Sequence, residues 1–269
     1  MRYIIFVRIS HKWSFDMAVS ERDMMGGLAK GLRVIEAFSA ERPRLSISDA
    51  AEIAGLDRAT TRRCLLTLSE LGYAAYDGKF FTVTPKVLRL GTGCLATMPL
   101  PRIVQPLLDR LSEEIGQSTS VSILDETEIV YVARAAQQRV MSIALMPGSR
   151  LPAYCTSMGR VLLSAQTAER QRDILEASRL VARTEKTITR MDALLAEIEA
   201  TGHRGYALID QEVEIGLRSI AVPLKTMRGQ TVAALNVGLA ASVASMEDLV
   251  ARYLPALLAV QRELARMLV

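Results

Sequence analysis

The hydrophobic positions change period along the chain, and the change divides it. In the first third they recur at helical spacing. Leu28, Leu32, Ile35 and Phe38 mark a helix over residues 28–40, which Pro43 ends. Ser46 stands three residues before Asp49, a capping-box spacing, and opens a helix over 47–54 that buries Ile47, Ala50, Ala51 and Ile53. Gly55 makes a turn. Asp57 then caps a helix over 58–71 whose inner stripe is Cys64, Leu65, Leu68 and Leu71; Arg58, Thr60, Thr61, Arg62 and Thr67 look outward. Gly72 stops that helix, and residues 74–83 alternate around Asp77-Gly78, a hairpin signal, with Lys79 at the tip. Helix, turn, basic helix and hairpin in this order are the plan of a winged helix-turn-helix over residues 26–85.

Pro85 opens a linker helix from Lys86 to about residue 96, and Pro99 and Pro101 close the linker segment 86–100. Beyond it, periods of 2 and 3.6 alternate. A helix is predicted over 102–115 and strands over 118–124, 128–135 and 139–145. Pro147-Gly148 breaks the chain before helices at 157–165, 167–175 and 190–201. Strands return at 205–209, 217–224 and 231–237, and a helix over 246–268 closes the chain. Sequential hairpins with helices at both ends predict an α+β sheet domain over residues 101–269, packed by helices. The first 25 residues fit neither pattern and read as a disordered extension, with Met17, Met24 and Met25 as alternative starts.

Composition narrows the function classes. Half of the 269 residues are hydrophobic, enough for a substantial core, yet no stretch approaches the roughly 18 apolar residues of a membrane span. Residues 3–7 (YIIFV) are too short for a signal-peptide core, so a cytoplasmic protein is expected. Cys64, Cys94 and Cys155 lack CxxC spacing, which argues against a disulfide framework or zinc site, and His11 and His203 are the only histidines. No cofactor or metal is implied. The net charge is +4, and residues 26–90 hold ten Lys and Arg against seven Asp and Glu, the sign that phosphate neutralisation requires. Arginine can bond a guanine edge bidentately, and threonine can reach a phosphate or thymine methyl. The candidate DNA-contacting set is Ser46, Arg58, Thr60, Thr61, Arg62, Arg63 and Lys79.

In the second domain, polar residues interrupt apolar elements. Leu217 and Ser219 share one strand face while Arg218 takes the other, and Asn236 is an amide inside AALNVGLA. A buried amide needs partners, and a ligand is one source. Ser157 and Met158 open a helix, whose N-terminus attracts a carboxylate. Arg134, Arg150 and Arg160 are the alternative carboxylate partners, against a bland reading as solvated charges. Asp210, Glu212 and Glu214 invite an enzyme reading, but no base, nucleophile or metal ligand accompanies them, and a solvated or N-capping acidic loop is the stronger reading. Cys155 reads as a small buried residue rather than a reactive thiol.

From GLAKGLRVI (27–35) through LSISDAAEIAGLDRATTRRCLLTLSELGY (45–73), GSRLPAYCTSMGRVLLSA (148–165) and GYALIDQEVEIGLRSIAVPL (205–224), the chain resembles the IclR (isocitrate-lyase-regulator) family of bacterial transcription factors. The phrases ERPRLSISDAAEIAGL, DGKFFTVTPKVLRLG and GSRLPAYCTSMGRVLL are similar to the branch that regulates protocatechuate and 4-hydroxybenzoate catabolism through the β-ketoadipate pathway. The resemblance implies a GAF-like α/β effector-binding domain and a homodimer or homotetramer on palindromic operator DNA. The implied effector is a small carboxylate, an aromatic acid or a pathway acid, and an activator would also contact RNA polymerase. It places Val140, Ile143, Leu151, Ser157, Met158, Leu217, Ser219 and Asn236 at the effector site, with Ser219 where many relatives carry Cys. The alternatives are a repressor answering a short keto acid and a ligand-binding enzyme with a vestigial helical module.

Overall fold

The computed structural model describes residues 22–39, 42–137 and 145–268. They divide into two compact units, parted in sequence between Thr97 and Met98. Most of residues 1–25 and of the strand expected over 139–145 lie outside the described residues.

In the first unit, α1 (Gly26–Glu36), α2 (Ile47–Ala54) and α3 (Arg58–Glu70) pack around Val34, Leu45, Ala50, Leu65 and Phe81. α1 stops short of the expected residue 40, because Ser39 and Arg42 exchange backbone hydrogen bonds and turn the chain. That turn leads into β1 (Arg44–Leu45), a strand too short to show in the hydrophobic pattern. It pairs with the wing hairpin of β2 (Ala74–Tyr76) and β3 (Phe81–Val83) in the order β1-β3-β2. Ser46 and Asp49 form the capping box at the start of α2, and Asp57 Oδ1 accepts from Thr60 N at the start of α3. Gly55 adopts φ 61°, the left-handed turn between the two helices. A 3-10 turn (Pro85–Val87) precedes α4 (Leu88–Thr97).

Two expected inner positions are corrected. Ile53 is 39% exposed and Leu71 is 53% exposed. Leu71 is the residue on which α3 ends, beside Gly72 at φ 76°, so the chain has already left the face that carries Leu65 and Leu68.

The second unit is a six-stranded antiparallel sheet between two helical layers. α5 (Pro99–Ile115) leads into β4 (Ser118–Asp125), β5 (Glu128–Ala135) and β6 (Arg150–Pro152). A 3-10 turn, α6 (Ser157–Ser164), α7 (Ala168–Ala177) and α8 (Met191–Arg204) follow, then β7 (Ala207–Asp210), β8 (Leu217–Lys225), β9 (Thr231–Ala240) and α9 (Met246–Ala265). The strand order is β6-β5-β4-β9-β8-β7. α5 and α9 cover one face through Leu108, Leu249, Tyr253 and Leu257, packed on Val121, Val222 and Leu235. α6, α7 and α8 cover the other through Met158, Leu163, Leu175 and Ile198, packed on Ile129, Ala221 and Ala234. Gly159 lets α6 start against the preceding turn: a Cβ there would lie 2.1 Å from Ala153 O, a distance no side chain tolerates. Among the described residues no helix is long and apolar enough to cross a membrane.

Candidate functional site

A cavity lies on the sheet face beneath α6. The register places Ser118 opposite Gly238 and Gly238 opposite Ser219; two residues along, Ser120 faces Asn236 and Asn236 faces Ala221. Strand alternation puts both rows on one face, and their small side chains leave room below the helix. Leu151 on β6, Ser157 and Met158 on α6, Val213, and Leu217 on β8 add to the lining.

A bulge brings in a cation. The β4–β5 register shifts between Val121 and Ser122 and leaves Val132 without a partner. Strict alternation would put Tyr131 and Arg134 on opposite faces, but the extra residue re-aims the strand and both line the cavity. Arg134 Nη1 donates to Ser120 Oγ at 2.9 Å, and no carboxylate pairs with this guanidinium among the described residues. Burial lowers its pKa, opposed by Tyr131, and a guanidinium stays charged at neutral pH. Burial pushes the Tyr131 phenol up to about 12, against the charge of Arg134, so it is a neutral hydroxyl. Ser219 Oγ donates to Ser157 Oγ at 2.9 Å, and Ser122 Oγ donates to Met158 Sδ at 3.2 Å. Asn236 Oδ1 is buried with no hydrogen-bond partner among the described residues. An unmatched buried acceptor costs roughly 1–3 kcal/mol. One cation, one unmatched acceptor, a neutral phenol and the paired Ser157 and Ser219 hydroxyls, beside apolar side chains, can hold a small molecule bearing a carboxylate and a hydrogen-bond donor.

Leu151, Ser157, Met158, Leu217, Ser219 and Asn236 all line this cavity. Val140 and Ile143 lie outside the described residues. The other two arginines are committed elsewhere. Arg150 pairs with Asp125 and Glu128 at 2.8 and 2.6 Å near the surface. Arg160 is buried and pairs with Glu212 at 2.7 Å. The loop of Asp210 and Glu212 is therefore not a solvated acidic run: Asp210 binds Lys186 and Arg218, and Glu212 is 5% exposed. Tyr131 and Val213 escaped sequence reading, because a phenol or a valine in an apolar strand or loop carries no local mark of facing a cavity.

The second surface is basic. Arg58, Arg62 and Arg63 on α3 are exposed, and Lys79 is exposed on the wing. Arg58 and Arg62 are one turn apart and share a side of the helix. Arg58 Nη2 donates to Ser48 Oγ on α2. Thr60 and Thr61 do not look outward: they are 8% and 0% exposed, and Thr61 Oγ1 donates back to Asp57 O at 2.9 Å. The helix turns that side to the core, where a β-branched residue with a self-bonded hydroxyl packs like valine. Ser46 Oγ is held by Asp49, donating to Oδ2 at 2.7 Å and accepting from the backbone N at 3.3 Å. Arg44, which sequence reading passed over, stacks 4.8 Å from the Phe80 ring, with Lys79 Nζ 5.1 Å from the same ring.

Residues 27–78 match the IclR helix-turn-helix domain, and residues 92–266 match the bacterial transcriptional regulator IclR C-terminal domain. The chain is 42% identical over 247 residues to the Pca regulon regulatory protein of Pseudomonas putida, covering 91% of this chain and 85% of that protein. It is 40% identical over 223 residues to the p-hydroxybenzoate hydroxylase transcriptional activator of Acinetobacter baylyi, covering 81% and 82%. A solved structure from Acinetobacter, the inducer-binding domain of a PobR double mutant with 3-hydroxybenzoic acid, matches at 34% identity and TM-score 0.60, over 64% of this chain and 100% of that one.

Proposed function

Because this chain belongs to the IclR family of bacterial transcriptional regulators, we propose that it couples a hydroxylated aromatic acid in the α6 cavity to operator binding by α3 and the wing. It is an effector-controlled regulator. The observation that carries the effector's chemistry is the presence in one cavity of Arg134, with no carboxylate partner among the described residues, and Asn236 Oδ1, with no donor among them. The effector's carboxylate bonds Arg134, its ring packs on Leu151, Met158 and Leu217, and its hydroxyl donates to Asn236 Oδ1. Protocatechuate and 4-hydroxybenzoate carry both groups, and the names of the relatives support that class. A short keto acid satisfies the arginine but brings no donor for the amide.

At the DNA, the N-terminal part of α3 enters the major groove, with Arg58, Arg62 and Arg63 at bases or phosphates and Lys79 at the adjoining backbone. Palindromic half-sites require at least a dimer, and exposed Leu28, Leu32, Leu88 and Leu90 on α1 and α4 suit subunit contacts. Family membership is that of regulators rather than enzymes, and the commitment of Asp210 and Glu212 to cations leaves neither as a free acid or base.

Isothermal titration tests the cavity. 4-Hydroxybenzoate and protocatechuate are expected to bind, with benzoate weaker by about tenfold, the equivalent of about 1.4 kcal/mol for one unmatched acceptor. Equal affinity for benzoate would remove the role of Asn236. No binding of any aromatic acid, or no shift of the DNA upstream of its own gene, would sink the reading.

A further inference from the structure

The cavity's walls come from segments distant in the chain: Ser157 and Met158 at the start of α6, and Val213 and Leu217 in and after the β7–β8 loop. Arg160, three residues into that helix, does not line the cavity. It and Glu212 form an ion pair with side chains 2% and 7% exposed. Arg160 Nε also donates to Tyr154 O at 3.2 Å, just ahead of α6, and Glu212 Oε2 also accepts from Ile188 N at 3.1 Å. The segment before α8 clasps the same loop: Thr187 Oγ1 donates to Glu212 O and Thr184 Oγ1 to Gln211 O, each at 2.7 Å. Gln211 sits at φ 62°, a left-handed conformation that a non-glycine residue adopts at a cost, so the loop is held where its backbone would not settle unaided.

A buried ion pair need not add stability. Desolvating two charges offsets much of their attraction, and apolar residues of similar volume commonly do as well or better. What an ion pair supplies and an apolar pair does not is direction. A planar guanidinium that bonds Tyr154 O and Glu212 Oε2 together fixes the distance between one wall and the other.

We propose that Arg160 and Glu212 are a latch: positioning residues that hold the Val213–Leu217 wall against the Ser157–Met158 wall and so set the cavity's affinity for its effector. The affinity clause rests on the function proposed above; the latch does not.

The test is hydrogen exchange on the ligand-free full chain, wild type against Arg160→Met/Glu212→Leu, which removes both charges together. Amides of residues 211–217 are expected to exchange at least about tenfold faster, while those of β9 and the thermal midpoint stay put. Unchanged exchange in 211–217, or equal acceleration in β9, overturns the latch. If the double variant does not fold, the same local comparison is read on Glu212→Gln. In titrations with 4-hydroxybenzoate the dissociation constant is expected to rise about tenfold or more in the double variant. An equal constant beside a loosened loop overturns the affinity clause. A wild type that binds no 4-hydroxybenzoate removes the effector reading together with that clause, and the exchange result still decides the latch.

Discussion

Replacing Arg62 with alanine tests the proposed DNA-facing surface most directly. The side chain is exposed, shares a side of α3 with Arg58, and has no ion-pair partner among the described residues. Arg58, Arg62, Arg63 and Lys79 give four exposed cations per subunit on α3 and the wing. Each phosphate they neutralise adds about −0.9 to the slope of log affinity against log salt, so a dimer using all four has a slope near −7 and loses about four decades between 50 and 200 mM salt. If Arg62 meets phosphate, Arg62→Ala in both subunits lowers that slope by about 1.8 and weakens all sequences alike. If it reads a guanine edge, the slope holds, and operator binding loses about 1–3 kcal/mol per half-site relative to scrambled DNA. Fluorescence anisotropy on operator and scrambled duplexes across that salt range separates the two. Thr61→Val is the control. Its hydroxyl is buried and bonded to Asp57 O, so the change costs about 1 kcal/mol of stability and moves neither the slope nor the operator preference. An Arg62→Ala protein with wild-type slope and wild-type preference refutes the placement of α3 at the DNA.

Three further outcomes are expected. Asn236→Leu removes the unmatched acceptor, so the ligand-free thermal midpoint holds or rises while stabilisation by 4-hydroxybenzoate is lost; an undiminished ligand shift dismisses the amide as a contact. Burial by itself would raise the Asp210 carboxyl, but hydrogen bonds from Lys186 and Arg218 outweigh it and hold the folded group well below the usual carboxylate range. A depressed folded pKa contributes stability above the unfolded value of about 3.9 that is lost as pH falls below it, so wild type should lose its midpoint between about pH 6 and pH 3 more steeply than Asp210→Asn; parallel curves would contradict this. Burial pushes the Cys155 thiol up to about 12, whereas Cys94 is exposed and Cys64 half-buried. A thiol reagent on the native protein should label Cys94 first, Cys64 more slowly and Cys155 only after unfolding; rapid labelling of Cys155 would show that its surroundings are misread.

The elements legible in the sequence are those whose signals are local. Ser46 with Asp49, and Asp57 before Arg58, mark the starts of α2 and α3 within one residue, because a cap and its first turn are neighbours in the chain. Leu217 and Ser219 share a face by alternation alone, and Asn236 stands out as an amide in an apolar strand. Faces are harder. In a helix that is polar over most of its surface Thr61 reads as outward-facing, and only packing against α1 and α2 decides which polar side turns in. The partner of Arg160 lies 52 residues away, so its choice belongs to the tertiary fold. The bulge at Val132 is the sharpest case. Nothing in EIVYVARA marks it, since it exists only relative to the register with β4, yet it decides whether Arg134 faces α5 or the cavity. Were the pairing regular, the cavity would hold hydroxyls and an amide but no cation, and the same side chains would recognise a neutral polar molecule. Whether this cavity holds a cation is therefore set by one unpaired residue in a β-ladder. In such a sheet the strand register, and not the sequence of any one strand, fixes which charged side chain faces the cavity.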